Sequence, residues 1–113
     1  MNEKILVVDD EPLILNTISR TLIRKGYEVR TAHDAKSFLD ELERETAELL
    51  IMDINLGEMS SQTLVDQIKE LAPDSKILFI SGGTPEADVE HFLEKPFDIN
   101  DLRLKVRSIL DAE

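Results

Sequence analysis

Three short apolar runs, each ending abruptly in polar residues, constrain this chain more than any other feature. Ile5-Leu6-Val7-Val8 ends in Asp9-Asp10, Leu49-Leu50-Ile51-Met52 in Asp53, and Ile77-Leu78-Phe79-Ile80 in Ser81-Gly82-Gly83. Runs this short, with no polar alternation, read as strands covered on both faces. Helical patterns separate them. Pro12 suits a first helical turn, Ile14, Ile18 and Leu22 follow at i, i+4 and i+8, and Gly26 supplies a stop. Residues 27–32 alternate like a strand with one wet side, and Asp34 then caps a helix whose inward stripe is Ala35, Phe38, Leu39 and Leu42. Leu64, Val65, Ile68 and Leu71 mark a third helix closed before Pro73. Residues 89–93 read as a weak strand, and Asp98 opens a last helix with Asp101 at N3 and Leu102, Val106, Ile109 and Leu110 inside.

Strands alternating with amphipathic helices imply an α/β fold, a parallel sheet with helices on both faces. The first, third and fourth strands are apolar throughout and belong at the centre, whereas the second and fifth carry Glu28, Arg30, Glu90 and His91 and belong at the edges. The order 2-1-3-4-5 satisfies both conditions. It is the flavodoxin-like, doubly wound, five-stranded arrangement, whose ligands sit outside the carboxyl ends of the strands at the switch between the first and third. Here those ends carry Asp9, Asp10 and Asp53.

The length of 113 residues fits one domain, residues 1–113, and 42% apolar residues with four Gly and four Pro exclude a disordered or fibrous chain. There is no cysteine, so disulfides, thiolate chemistry and Cys-ligated metals are excluded. The first residues read as neither a signal peptide nor an anchor, no apolar run is long enough to span a membrane, and the cytoplasm is the expected location. Twenty-four acidic against thirteen basic residues give a net charge of −11, which disfavours nucleic acid or anionic membrane as partners of this domain and favours cations. Two basic trios, Arg20, Arg24, Lys25 and Arg103, Lys105, Arg107, stand at helical spacing with acidic neighbours and read as solvated helix faces.

Three carboxylates converging at one sheet edge repel one another unless a cation shares the site, and oxygen ligands without cysteine point to Mg2+ or Mn2+. The blander reading of Asp9 and Asp10 is that they end a strand and compete to cap the next helix. Lys95, held by Pro96 after the last strand, reaches the same edge and can meet an anion placed on Asp53. Ser81 adds a hydroxyl, with the N–H groups around Gly82 and Gly83 beside it. A carboxylate nucleophile, a metal site, a hydroxyl donor and an ammonium are together the parts needed to form and hold an acyl phosphate.

The stretches KILVVDDE (4–11), LLIMDINL (49–56), FISG (79–82) and FLEKPF (92–97) resemble the response-regulator receiver domain of bacterial two-component signalling, over essentially the whole chain. The resemblance implies that Asp53 accepts the phosphoryl group. It implies that Asp10, Asp53 and the backbone carbonyl of Asn55 bind Mg2+ directly and that Asp9 acts through a metal-bound water. Ser81 then corresponds to the hydroxyl that bonds the phosphoryl group, Lys95 to its salt-bridge partner, Phe92 to an aromatic switch, and the Lys95–Pro96 bond is expected to be cis. Asn55 and Gly83 fall at positions that tune water access, and Met59 and Leu64 at apolar positions that pack the following helix. Leu13 and Leu15, outside the stripe of Ile14, Ile18 and Leu22, resemble the exposed patch that docks a sensor histidine kinase or a histidine phosphotransfer protein. A C-terminal output domain or a downstream protein would complete the pathway. The implied chemistry is metal-dependent self-phosphorylation from a phosphohistidine donor and slow autodephosphorylation rather than ordinary turnover.

The chain departs from that pattern in three places. Gly57 replaces the usual Pro and Ser61 the usual Gly, and Ser81 and Lys95 are closer in sequence than is usual. The connector of residues 82–88, with Pro85 inside, is too short for an ordinary crossover helix, so the helix between the fourth and fifth strands is expected to be absent or reduced to about one turn. That shortening supports a second reading, a docking module in which phosphorylation is secondary or lost. Other classes fit less well. An aspartyl phosphatase needs a second Asp where Asn55 stands, a flavodoxin-type cofactor binder needs a Ser/Thr/Gly-rich first loop, and a dinucleotide fold needs G-x-G-x-x-G.

Overall fold

The computed structural model describes residues 3–54, 61–82 and 91–111. Each apolar run becomes a strand and each helical pattern a helix. Along the chain these are β1 (Lys4–Val8), α1 (Pro12–Arg24), β2 (Glu28–Ala32), α2 (Ala35–Arg44), β3 (Leu49–Asp53), α3 (Ser61–Leu71), β4 (Lys76–Ser81), β5 (Phe92–Glu94) and α4 (Ile99–Asp111). The five strands are all parallel, in the order β2-β1-β3-β4-β5. Among the described residues no helix is long and apolar enough to cross a membrane.

Alternation along the central strands sends successive side chains into two separate cores. Leu6, Val8, Leu50, Met52 and Phe79 meet Phe38 and Leu42 of α2 and Leu64 and Ile68 of α3 on one face. Ile5, Val7, Leu49, Ile51, Leu78 and Ile80 meet Ile18 and Leu22 of α1 and Leu102, Val106 and Ile109 of α4 on the other. Both faces are covered, which is why residues 5–8, 49–52 and 77–80 contain no polar side chain.

The helix ends follow local chemistry. Glu11 is the extended N-cap of α1 and makes no side-chain cap bond, with Pro12 in the first turn. Gly26, at φ +95°, turns the chain out of α1 in a conformation that favours glycine, although a Cβ there would touch nothing. Asp34 and Ser37 form a reciprocal capping box at α2. At α4 the Asp98 carboxylate accepts from the Asp101 N–H at 2.8 Å. The charge on edge strand β2 is also accounted for. Arg30 reaches the Glu41 carboxylate at 3.1 Å and the Glu45 carbonyl at 2.5 Å, tying β2 to the end of α2.

Two expectations need correction. Of the last strand, expected over residues 89–93, residues 89 and 90 lie outside the described residues; His91 is a bend, and β5 runs on to Glu94, pairing with β4 over Phe92, Leu93 and Glu94. Leu15 is not an exposed neighbour of Leu13: it is half-buried against the α1–α4 core. A helix lodged between a sheet and another helix buries a wider arc than one stripe. The expectation of a missing or shortened helix between β4 and β5 falls on residues 83–90, outside the described residues, as do Asn55, Gly57 and Met59. Helix α4 is the C-terminal helix after β5.

Position in this layered core sets the cost of truncation. Leu50→Ala, at a fully buried site of β3, should lower unfolding stability in urea by about 2–5 kcal/mol. Leu13→Ala, at a residue 82% exposed, should change it by no more than about 0.5 kcal/mol.

Candidate functional site

The register between β1 and β3 builds the site. Val8 pairs with Met52, so Asp9 and Asp53, each one residue further on, stand level at the carboxyl edge of the two central strands. They also share the alternation that faces α1 and α4. Both are buried, at 1% and 6% exposure, whereas Asp10 and Glu11 are exposed. One carboxylate oxygen from each of Asp9, Asp10, Glu11 and Asp53 lies within 4.8 Å of the others.

Lys95, directly after β5, closes the cluster. Its backbone N–H donates to the Ser81 carbonyl at 2.7 Å, and the Lys95–Pro96 bond is cis, as the resemblance implied. The ammonium Nζ lies 2.9 Å from Asp53 Oδ2, 3.5 Å from Asp9 Oδ2 and 3.4 Å from Glu11 Oε1. Burial works against the charge on Lys95, but the bond to Asp53, the fields of Asp53 and Asp9 and the bond to Glu11 outweigh it and raise its pKa. Asp9 is pushed above the ordinary carboxylate range by burial, with Asp53 adding repulsion, although the Glu11 N–H at 2.8 Å and Lys95 favour its charge.

Glu11 was not singled out from the sequence. The signal was present as the third acid of Asp-Asp-Glu directly before Pro12. Because its side chain does not cap α1, it is able to reach Lys95. The blander reading of Asp9 as a helix cap is set aside as well, since its carboxylate closes a local turn onto the Glu11 N–H instead.

The remaining predicted residues divide. Ser81 is buried at the end of β4 beside the cluster. Phe92 lies on β5, half-buried against the α2–α3 core and paired with Phe79. Leu64 packs in that same core. Leu13 projects into solvent from the first turn of α1, close to the acidic run. Asn55 and Gly83 lie outside the described residues.

Four carboxylates around one ammonium leave an excess of negative charge in a partly buried site. An all-oxygen donor set of this kind fits a hard divalent cation and is compatible with Mg2+.

Residues 5–107 match the response regulator receiver domain family. The alkaline phosphatase synthesis transcriptional regulatory protein PhoP of Bacillus subtilis (strain 168) is 30% identical over 118 residues, covering 97% of this chain and 49% of that protein. The chain spans about half the length of the curated relatives it matches. Among solved structures, a CheY-like response regulator receiver domain protein from Methanospirillum hungatei JF-1 is 29% identical with a TM-score of 0.90, over 98% of this chain and 95% of that one. The receiver domain of the hybrid histidine kinase CckA is 34% identical with a TM-score of 0.84, over 96% and 99%. With the sheet order, the acidic strand ends and Lys95 in agreement, the chain belongs to the receiver domain family of two-component response regulators.

Proposed function

We propose that this receiver takes a phosphoryl group from a phosphohistidine onto Asp53, with Lys95, Ser81 and a bound Mg2+, and passes the signal on through a change at β4 and β5. The observation that carries the reading is Asp53 itself, buried at the end of a central strand with an ammonium at 2.9 Å and three further carboxylates around it. An Asp53 oxygen attacks phosphorus, the bond from phosphorus to the donor imidazole breaks, and the imidazole leaves with a proton from solvent. The product is an acyl phosphate, later hydrolysed by water. Lys95 offers its charge to the phosphoryl oxygens and Ser81 its hydroxyl.

Asp10, Asp53 and the Asn55 carbonyl would hold Mg2+ directly, with Asp9 reaching it through water. Bound there, the ion would offset charge on the carboxylates and on the incoming phosphoryl oxygens. Mn2+ has the same ligand preferences and would substitute. Ser81 and Phe92 form the switch, on adjoining strands β4 and β5. Receiver domains work with histidine kinases. For this chain a sensor kinase or a phosphotransfer protein would dock beside Leu13, with Leu15 shaping the patch from below, and a downstream protein or output domain would receive the signal. The reading as a docking module without phosphoryl chemistry is disfavoured because Asp9, Asp10, Asp53 and Lys95 are all present and together.

Intact mass after treatment with acetyl phosphate and Mg2+ tests the chemistry. Wild type should gain one hydroxylamine-labile phosphoryl group, while Asp53→Asn or added EDTA should abolish it; retained labelling in either case would refute the assignment. Leu13→Ala should slow transfer from a phosphohistidine donor about tenfold, the loss of one exposed anchor, and leave the acetyl phosphate rate unchanged.

The raised pKa of Asp9 gives a pH dependence. Below the unfolded-state value of about 3.9 both states hold the proton and nothing is lost. Above it the unfolded chain ionises first, so stability falls with rising pH until the folded carboxyl has ionised too. In EDTA, the urea midpoint of Asp9→Asn should therefore gain on wild type as the pH rises above about 4, until the folded carboxyl has ionised, and Mg2+ should narrow the gap by binding the folded wild type more tightly. A midpoint difference independent of pH would contradict this.

A further inference from the structure

The two basic trios that read as separate solvated faces do not stay separate. Lys25, from the end of α1, and Arg103 and Arg107, from one face of α4, line a single groove of about 570 Å3 together with Tyr27, Asn100 and Leu104. These residues come from opposite ends of a chain with a net charge of −11. Lys25 and Tyr27 precede β2, so this part of the groove lies at the amino edge of the sheet, opposite the acidic cluster.

The charges in the groove are unequally balanced. Arg107 is held by Glu3 at 2.7 Å, Asp111 at 2.8 Å and the Tyr27 hydroxyl at 3.1 Å, and it lies over the Tyr27 ring with its centre 5.8 Å from the centroid. Those two carboxylates answer one of the three cations. Neither the Lys25 nor the Arg103 side chain has a hydrogen-bond or ion-pair partner among the described residues, and Arg103 Nε is buried with no acceptor. Two arginines at i and i+4 repel one another on a helix. A buried guanidinium nitrogen without an acceptor is a rare arrangement in a folded protein. The field of the α1 carboxyl end favours Lys25 at its position, but nothing comparable serves Arg103.

We propose that this groove binds an organic phosphate, an anion of nucleotide size, with Arg103 as the principal contact and Lys25 and Arg107 beside it. A guanidinium suits a phosphate through paired N–H donors, and the Asn100 amide adds a neutral donor. The groove exceeds what inorganic phosphate fills and falls in the range of small-molecule sites. Tyr27 and Leu104, the latter 71% exposed, give it apolar walls for the organic part.

Titration calorimetry and amide and arginine Nε–H NMR on the whole chain, without divalent cations, test this with ADP, inorganic phosphate and adenosine. ADP should bind saturably, with shifts at Tyr27, Asn100, Arg103 and Arg107. Inorganic phosphate should bind about tenfold more weakly, and adenosine not measurably, because the charged contacts supply most of the affinity. Arg103→Gln should weaken ADP about tenfold while keeping the wild-type melting temperature and acetyl phosphate labelling, and Asp53→Asn should bind ADP as wild type does. Equal binding by Arg103→Gln, adenosine binding as well as ADP, shifts gathered at Asp53, or no saturation would each overturn the assignment. None of these outcomes bears on whether Asp53 is phosphorylated.

Discussion

The register between β1 and β3 is the constraint on which the rest of the molecule depends. Both strands are buried on both faces, so a slip of one residue would turn every side chain to the wrong core. That penalty fixes Val8 opposite Met52, and the fixed pair places Asp9 and Asp53 side by side. The carboxylates thus need no local interaction to hold them together. They are forced into proximity by apolar packing that would be the same without them, which is how a small domain keeps like charges within 4.8 Å of one another.

That arrangement has an electrostatic cost which one residue partly offsets. Lys95 meets Asp53, Asp9 and Glu11 at once, so its ammonium is shared among acids that outnumber it. Asp9, the most buried of them, has its pKa raised chiefly by that burial, with repulsion from Asp53 adding to it. A site held in this state responds strongly to any added charge, positive at the carboxylates or negative on Asp53, because a partly buried pair is screened far less than a surface one.

The central sheet was legible because its signal is local. Apolar runs, Gly26, Asp34 and Asp98 each act within a few residues, and the structure uses them as the sequence suggests. Misreadings arose where the environment decides. Leu15 is half-buried because α4 extends the apolar surface that α1 meets, and β5 runs on to Glu94 because its partner β4 continues to Ser81. Glu11 joins the cluster only because a lysine 84 residues away in the chain comes within 3.4 Å. The meeting of Lys25 with Arg103 and Arg107 is of the same kind, invisible until α1 and α4 are packed.

Signal transmission then becomes a question of which attachment is weakest. β5 pairs with β4 through three residues, whereas β3 pairs with β4 through five. Lys95 follows β5 directly, bonded by its backbone to Ser81 and by its side chain to Asp53. A phosphoryl group on Asp53, as proposed, would redirect the Lys95 ammonium and so pull on the least anchored strand of the sheet. Phe92 lies on that strand and is only half-buried against the α2–α3 core, so a small shift of β5 alters its packing before the central strands move. The strands that fix the carboxylates and the strand that the proposed phosphoryl group would displace are therefore different ones, joined by one lysine.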